Sequence, residues 1–145
     1  MITLRRAYVP DTDGLFEVER SQLQSANWGR DGIKSELLNS AAQIWCAQED
    51  GRICGFVSFR SAAGLAEILN VAVHANDCRR GIGFLLLQKV LDVLKQEGTE
   101  IVTLEVNIRN IGAIGLYEKT GFAEVGRREK FYHFTDDAII MEKKL

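Results

Sequence analysis

One stretch restricts the possible folds more than any other. Ala66-Glu67-Ile68-Leu69-Asn70-Val71-Ala72-Val73 reads as a strand, and Cys78-Arg79-Arg80-Gly81-Ile82-Gly83-Phe84 then leads into Leu87, Val90, Leu91 and Leu94 at helical spacing. That pattern predicts a helix from about Arg80 to Glu97, closed by Gly98 as a C-cap. Ile101-Val102-Thr103-Leu104-Glu105-Val106 follows, β-branched and nearly continuous, as expected of a strand buried on both faces. Strand, helix and strand make a βαβ crossover, so the two strands should lie parallel.

The basic turn between the first strand and the helix has two readings. A Gly-x-Gly at such a junction is often only a tight connection. It is also suited to an anion, because the first N–H groups of a helix lack carbonyl partners and the helix dipole favours negative charge there. Arg79 and Arg80 flank those amides, and Gly81 and Gly83 let the main chain approach a ligand. A P-loop is excluded, since Phe84-Leu85 stands where Lys-Ser/Thr is required. The dinucleotide fingerprint fails too, with Leu86 at its third small position. A pyrophosphate fits what remains.

The rest of the chain supplies short, regularly spaced elements. Ile2 to Ala7 alternates as a strand, and Pro10-Asp11 starts a helix from about Asp11 to Gln22 whose apolar stripe is Leu15, Phe16, Val18 and Leu23. A break at Ser25-Ala26-Asn27-Trp28-Gly29 precedes a second helix, about Arg30 to Ala41; Trp28 is either a core or lid aromatic or a substrate contact. Ile44 to Ala47 and Ile53 to Phe59 flank Asp50-Gly51, a strong hairpin signal, and the strand from Ala66 completes a meander. Beyond the second strand of the crossover come a loop from Asn107 to Asn110, a helix from Ile111 to Thr120 closed by Gly121, and two antiparallel strands, Phe122 to Arg127 and Asp137 to Glu142, with Phe131-Tyr132-His133-Phe134 between them.

Bulk properties narrow the function classes. With 145 residues and 46 % hydrophobic content the chain is expected to form one domain, 1–145, around a single core. A net charge of -2 with dispersed basic residues gives no field that would recruit nucleic acid or an anionic membrane. No apolar run is long enough to span a bilayer and the N-terminus lacks the apolar core of a signal peptide, so the expectation is a cytoplasmic protein. The three cysteines Cys46, Cys54 and Cys78 show neither a disulfide framework nor zinc spacing and are read as reduced thiols. His74 and His133 have no partners at metal-ligand spacing or in a triad. No metal is expected.

Candidate chemistry gathers where the parallel strands end beside a helix N-terminus, the preferred ligand crevice of such sheets. Glu105 is out of place in an apolar strand, and either points to solvent, pairs with a basic residue, or lines the crevice. Glu67 on the neighbouring strand has the same readings. Tyr117 is either a packed amphipathic side chain or a residue facing the crevice, and Asn110 alone says little, since a loop or N-cap Asn is common.

Together, Asn70-Val71-Ala72-Val73, the turn Arg79 to Gly83, Leu104-Glu105-Val106, Asn110 and Ala113 to Phe122 resemble the GCN5-related N-acetyltransferase (GNAT) superfamily. Arg127 to Tyr132 and Asp137 to Met141 resemble its branch acting on the N-terminal alanine of ribosomal proteins, the RimI type. The resemblance is strong from Glu67 to Met141 and weak before it. It implies an α/β fold: a mixed, mostly antiparallel sheet of about 6–7 strands with a central splayed parallel pair, flanked by about four helices. It implies an acyltransferase that moves an acetyl group from acetyl-CoA, as co-substrate, to a protein N-terminal α-amine by direct attack in a ternary complex. The pantetheine arm would pair with main-chain groups of Val71, Ala72 and Val73, and the pyrophosphate would rest on Arg79, Arg80, Gly81, Ile82, Gly83 and Phe84. Asn110 would bond the pantetheine arm; Glu105 would be general base and Tyr117 general acid, with Glu67 the alternative base used in other branches. The implied partner is the N-terminus of a ribosomal protein, with the enzyme a monomer or weak dimer. Cys78 departs from the pattern, which has Gln or Arg three residues before the first glycine. Two other functions stay open: acetylation of a small amine or a lysine side chain, and a non-catalytic CoA-binding or partner-binding module.

Overall fold

The computed structural model describes residues 1–22, 26–132 and 135–145. Leu23 of the predicted stripe, Ser25 of the break, and His133 and Phe134 lie outside the described residues. The Asp50-Gly51 signal is realised: β2 (Ala42–Glu49) and β3 (Arg52–Ala62) form an antiparallel hairpin whose two turn residues have φ of 51° and 77°. Both are left-handed, as the twist-matched two-residue turn demands. β1 (Thr3–Arg6) adds to the outer edge of β2, and β4 (Leu65–Val73) pairs antiparallel with β3. A 3-10 turn, Ala75–Asp77, then leads to α3 (Ile82–Gln96).

β5 (Ile101–Asn107) returns parallel to β4, as the crossover requires. After α4 (Ile111–Lys119), the chain forms β6 (Ala123–Tyr132) and β7 (Asp136–Lys144). The last strand inserts between β5 and β6, so the sheet order is β1-β2-β3-β4-β5-β7-β6. The expected architecture is present, with seven strands and one parallel pair among the described residues. α1 (Thr12–Arg20) and α2 (Gly29–Leu38) complete a set of four α-helices among the described residues.

The helices divide between the two faces. α3 and α4 cover one, where Val57, Phe59, Ile68, Leu86, Leu87, Val90, Leu94, Leu104, Tyr117 and Met141 form the larger core. α1 and α2 cover the other over β2 to β4, with Leu15, Val18, Ile33, Ile44, Phe56 and Ala72 beneath them. Each fully buried aliphatic side chain contributes roughly 1.5–3 kcal/mol.

Two local expectations are corrected. β5 is not buried on both faces: Val102, Leu104 and Val106 are buried, while Thr103, Glu105 and Asn107 alternate with them and stay half-exposed. α1 and α2 do not extend over β5, so only its α3 side is sealed. The third helix begins at Ile82 rather than Arg80, because Gly81 takes φ 78° as its N-cap and Arg79 takes φ 67°. Two left-handed residues cannot belong to a right-handed helix.

Candidate active site

The parallel pair is short. β4 and β5 are in register only from Leu65–Ile101 to Ile68–Leu104. A register shift then separates Ile68 from Asn70 in the β3–β4 ladder, and from Asn70 onward β4 pairs with β3 alone. β5 continues from Glu105 to Asn107 against β7 alone. The strands therefore part, leaving a notch inside the sheet with main-chain groups on each lip. His74 N–H donates to Cys54 O on β3 at 2.8 Å, so by the alternation of a strand Val71 and Val73 turn their N–H and C=O toward the notch. Unpaired strand edges of this kind accept an added extended chain.

The basic turn stands at the end of the β4 lip. Leu85 N–H donates to Gly81 O at 3.0 Å, which opens the α-helical ladder and leaves the N–H groups before it without helical partners. A Cβ on Gly81 would meet nothing within 4 Å, so glycine there serves the left-handed backbone. Gly83 differs. A Cβ on it would lie 3.1 Å from Leu116 Cδ2, so its lack of a side chain brings α4 against α3 rather than clearing a path for a ligand. Phe84 meets α4 as well, with the Lys119 ammonium 4.8 Å from its ring centre.

The two arginines of the turn have separate circumstances. The Arg80 guanidinium donates to both Glu49 carboxylate oxygens at 2.9 Å and to Asp77 Oδ1 at 3.0 Å. Arg52 also donates to Asp77, at 2.9 and 3.1 Å. This network ties the turn to the β2–β3 hairpin around a buried Asp77. Arg80 thus offers an anion its main chain while its side chain serves Glu49 and Asp77. Arg79 is exposed and forms no ion pair among the described residues.

Glu105 sits immediately past the last residue of β5 that is paired with β4. Its neighbours Leu104 and Val106 belong to the core under α3 and α4, so its carboxylate is on the α1/α2 face, with its side chain 24 % exposed. Arg128 on β6 reaches it across β7, with Nη2 3.1 Å from Oε1. Tyr132 is close enough for Glu105 and Arg128 to act on it; burial raises its hydroxyl pKa, Glu105 adds to that and Arg128 opposes it. Glu67 lies on the same face but opposite Thr103, within the paired segment, and is exposed. It stands two residues, roughly 7 Å of strand, short of the level of Glu105.

Tyr117 approaches from the other face. Its ring packs edge-on to Phe122 at 6.0 Å within the α3/α4 core, and its hydroxyl has no hydrogen-bond partner among the described residues. Burial, and secondarily Tyr132, push that hydroxyl well above tyrosine's usual range. Asn110 is the N-cap of α4, its Oδ1 accepting from Ala113 N–H at 3.2 Å, which fixes the helix start that presents Tyr117. Cys78 is exposed, 3.3 Å from Gln22 Nε2, and all three cysteines are free thiols. Trp28 is the N-cap residue of α2 and packs partly against the α1/α2 core.

Sequence reasoning missed three residues here. Gln22 Nε2 donates to Val73 O at 2.6 Å, on the notch lip. Arg128 orients Glu105. Glu19, buried in α1, receives the N–H groups of Trp28 and Gly29. Its signal was present: Leu15, Val18, Glu19 and Gln22 follow i, i+3, i+4, i+7, which puts a carboxylate on the inward stripe.

A separate hollow of about 430 Å³ opens between α1 and the β2–β3 turn, lined by residues that include Arg5, Asp11, Gln48, Arg52 and His74. Neither Glu105 nor Tyr117 lines it, and Glu105 stands instead where β4 and β5 part.

Residues 2–122 match the family model of the acetyltransferase (GNAT) family. The chain belongs to that family. The acetyltransferase is 36 % identical over 96 residues to the ribosomal protein bS18-alanine N-acetyltransferase of Escherichia coli, covering 64 % of this chain and 65 % of that one. It is 29 % identical over 155 residues to an N-alpha-acetyltransferase of Sulfurisphaera tokodaii, covering 98 % and 92 %. The crystal structure of the ribosomal-protein-S18-alanine N-acetyltransferase from Escherichia coli superposes with a TM-score of 0.90 at 26 % identity, covering 99 % of the acetyltransferase and 94 % of that chain. This chain is an N-acetyltransferase. No helix among its described residues is long and apolar enough to cross a membrane.

Proposed function

We propose that this acetyltransferase transfers the acetyl group of acetyl-CoA to the α-amine of a protein N-terminus, an N-terminal alanine on a ribosomal protein, in the cytoplasm. The observation that carries the reading is Glu105: a carboxylate at the point where β4 and β5 part, held by Arg128 on the only face of β5 that is not sealed by helices. The names of the Escherichia coli and Sulfurisphaera tokodaii relatives support an N-terminal amine as acceptor, and the former an alanine.

The donor is a substrate whose parts match the notch and the turn. Its amide-bearing arm supplies donors and acceptors for Val71 and an acceptor for the N–H of Val73, whose C=O already accepts from Gln22, and its phosphates suit the N–H groups of Gly81 to Phe84 with Arg79 beside them. Asn110 keeps its amide N–H groups for the same arm, since only its Oδ1 is used by the cap. The attacking amine must be neutral. With a pKa of about 8, roughly a tenth of an α-amine is neutral at pH 7, against well under a thousandth of a lysine side chain near 10.4. A single carboxylate, reached directly or through one water, is enough to take the remaining proton as the C–N bond forms. Glu105 is that base. The departing thiolate then needs a proton, and Tyr117 keeps its own because burial disfavours the phenolate. Burial also makes it a weaker acid than an exposed tyrosine, so close placement must compensate. In this reading the base and the acid act on the acetyl group from opposite faces of the sheet.

The test is turnover, read as thiol release, with a peptide beginning in alanine, its N-blocked lysine-containing twin, and a polyamine. Release with the first alone is expected. Release with the twin or the polyamine would move the acceptor to a side-chain or small amine, and none with any would leave a binding module.

A further inference from the structure

Glu19, the most deeply buried charge among the described residues, has no part in the proposed catalysis. Glu19 is 1 % exposed, and an unpaired carboxylate at that depth would be strongly disfavoured. It is matched instead. Trp28 and Gly29 N–H groups, the opening of α2, donate to its Oε2 and Oε1 at 2.9 Å, and Asn70 Nδ2 lies 3.4 Å from Oε2. α2 has no side-chain cap of its own, so an acceptor that a surface Ser or Asp would normally supply comes from the neighbouring helix.

Its contact with Asn70 gives the arrangement a direction. Asn70 is buried on β4 just past the last β4–β5 pair, where the notch begins, opposite Ser58, whose buried hydroxyl has no partner among the described residues. The end of α1 follows the same lip. Gln22 reaches Val73 O at 2.6 Å, and Ser21 Oγ accepts from Ala75 N–H at 3.0 Å. α1 and the residues just after it are therefore fastened to β4 at Asn70 and Val73 and to the following turn at Ala75, and Glu19 passes that registration to Trp28 and the first turn of α2. An amine bound for Glu105 has to enter on the α1/α2 face, since α3 and α4 fill the other with apolar side chains.

We propose that Glu19 is a positioning residue for the acceptor: it locks Trp28 and the start of α2 to the β4 lip, so that the wall met by the acceptor's first residues is in register with the strand that holds the donor. This rests on the proposed function, in which the acceptor amine is deprotonated at Glu105. Glu19→Gln keeps the shape and removes one acceptor from two converging N–H groups. Losing that charge-assisted contact should raise the KM for the alanine-starting peptide about tenfold, leave kcat and the KM for acetyl-CoA within about twofold, and speed amide exchange at Trp28 and Gly29. Adding Asn70→Asp in the Glu19→Gln background returns a carboxylate to the cluster, and the acceptor KM should partly recover. Asn70→Ser, which leaves the cap on α2 intact, tests the strand tie should the first variant not fold; a rise of about threefold is expected. A lower melting temperature with all kinetic constants unchanged would make Glu19 a structural cap and overturn the inference, as would parallel rises in both KM values. Wild-type turnover of the peptide checks the function separately: an active wild type with silent variants sinks the inference alone, whereas a wild type inactive on every amine takes both down.

Discussion

Glu105 and Glu67 share a face, and position along the strand separates them. Glu105 follows the last β4–β5 pair, whereas Glu67 lies inside the paired segment, exposed and opposite Thr103. Glu105→Gln should lower kcat by roughly 10²–10⁴ with the acetyl-CoA KM little changed, while Glu67→Gln leaves kcat within about threefold; the reverse pattern in steady-state kinetics would assign the base to Glu67. Tyr117 carries a pH signature as well. Burial raises its pKa above the usual 10, so the folded state favours the neutral hydroxyl; that stability is full below pH 10 and is lost as pH rises toward the higher folded value. Cys46, raised by burial from 9.0 to about 11, loses its share over pH 9 to 11. Urea unfolding at pH 9 and pH 11 should show a smaller alkaline loss in Tyr117→Phe than in wild type, and the same change should reduce kcat about a hundredfold at pH 7. Some of these residues were legible early. A carboxylate in a β-branched run announces Glu105, whereas nothing near Arg80 in the chain reveals that Glu49, from another hairpin, takes its side chain.

At the scale of elements, local signals translated well because they are backbone chemistry. Asp50-Gly51, Gly98 and Gly121 mark ends that only left-handed residues make comfortably, and each has positive φ. The exposure of β5 was not legible, since a run such as Ile101 to Val106 looks the same whether one or both faces are covered; the covering is decided by α1 and α2, far away in sequence. The glycine turn shows the same division. Gly81→Ala strains a left-handed residue by about 1–2 kcal/mol without a clash, so it should raise the KM for acetyl-CoA and spare kcat. Gly83→Ala pushes on Leu116 and hence on the helix that carries Tyr117, so kcat should fall with it. Arg79→Ala should weaken donor binding in a salt-dependent way, whereas Arg80→Ala should lower the melting temperature by releasing the turn from Glu49 and Asp77. Equal effects of the two arginine changes on acetyl-CoA KM would refute that division.

At the scale of the whole molecule, the described residues build a seven-stranded sheet whose middle seam is half open. α3 and α4 seal one face across the seam while α1 and α2 stop short of β5, so the slot is bounded by apolar packing on one side and reachable from the other. A ligand that supplies the missing ladder joins the β1–β4 half to the β5–β7 half, and its binding energy becomes folding energy. At a free acetyl-CoA concentration one hundred times its Kd the gain is about 2.7 kcal/mol. At roughly 3 °C per kcal/mol for a chain of this size, the melting temperature should climb by roughly 8 °C. Acetyl-pantetheine, which lacks the phosphates, separates the two parts of the site: it should protect the amides of Val71 and Val73 from hydrogen exchange but leave Ile82, Gly83 and Phe84 as they are, whereas acetyl-CoA should slow exchange at both. Protection that appeared around Arg52 and His74 instead would place the donor in the hollow beside α1 and remove the notch from the mechanism.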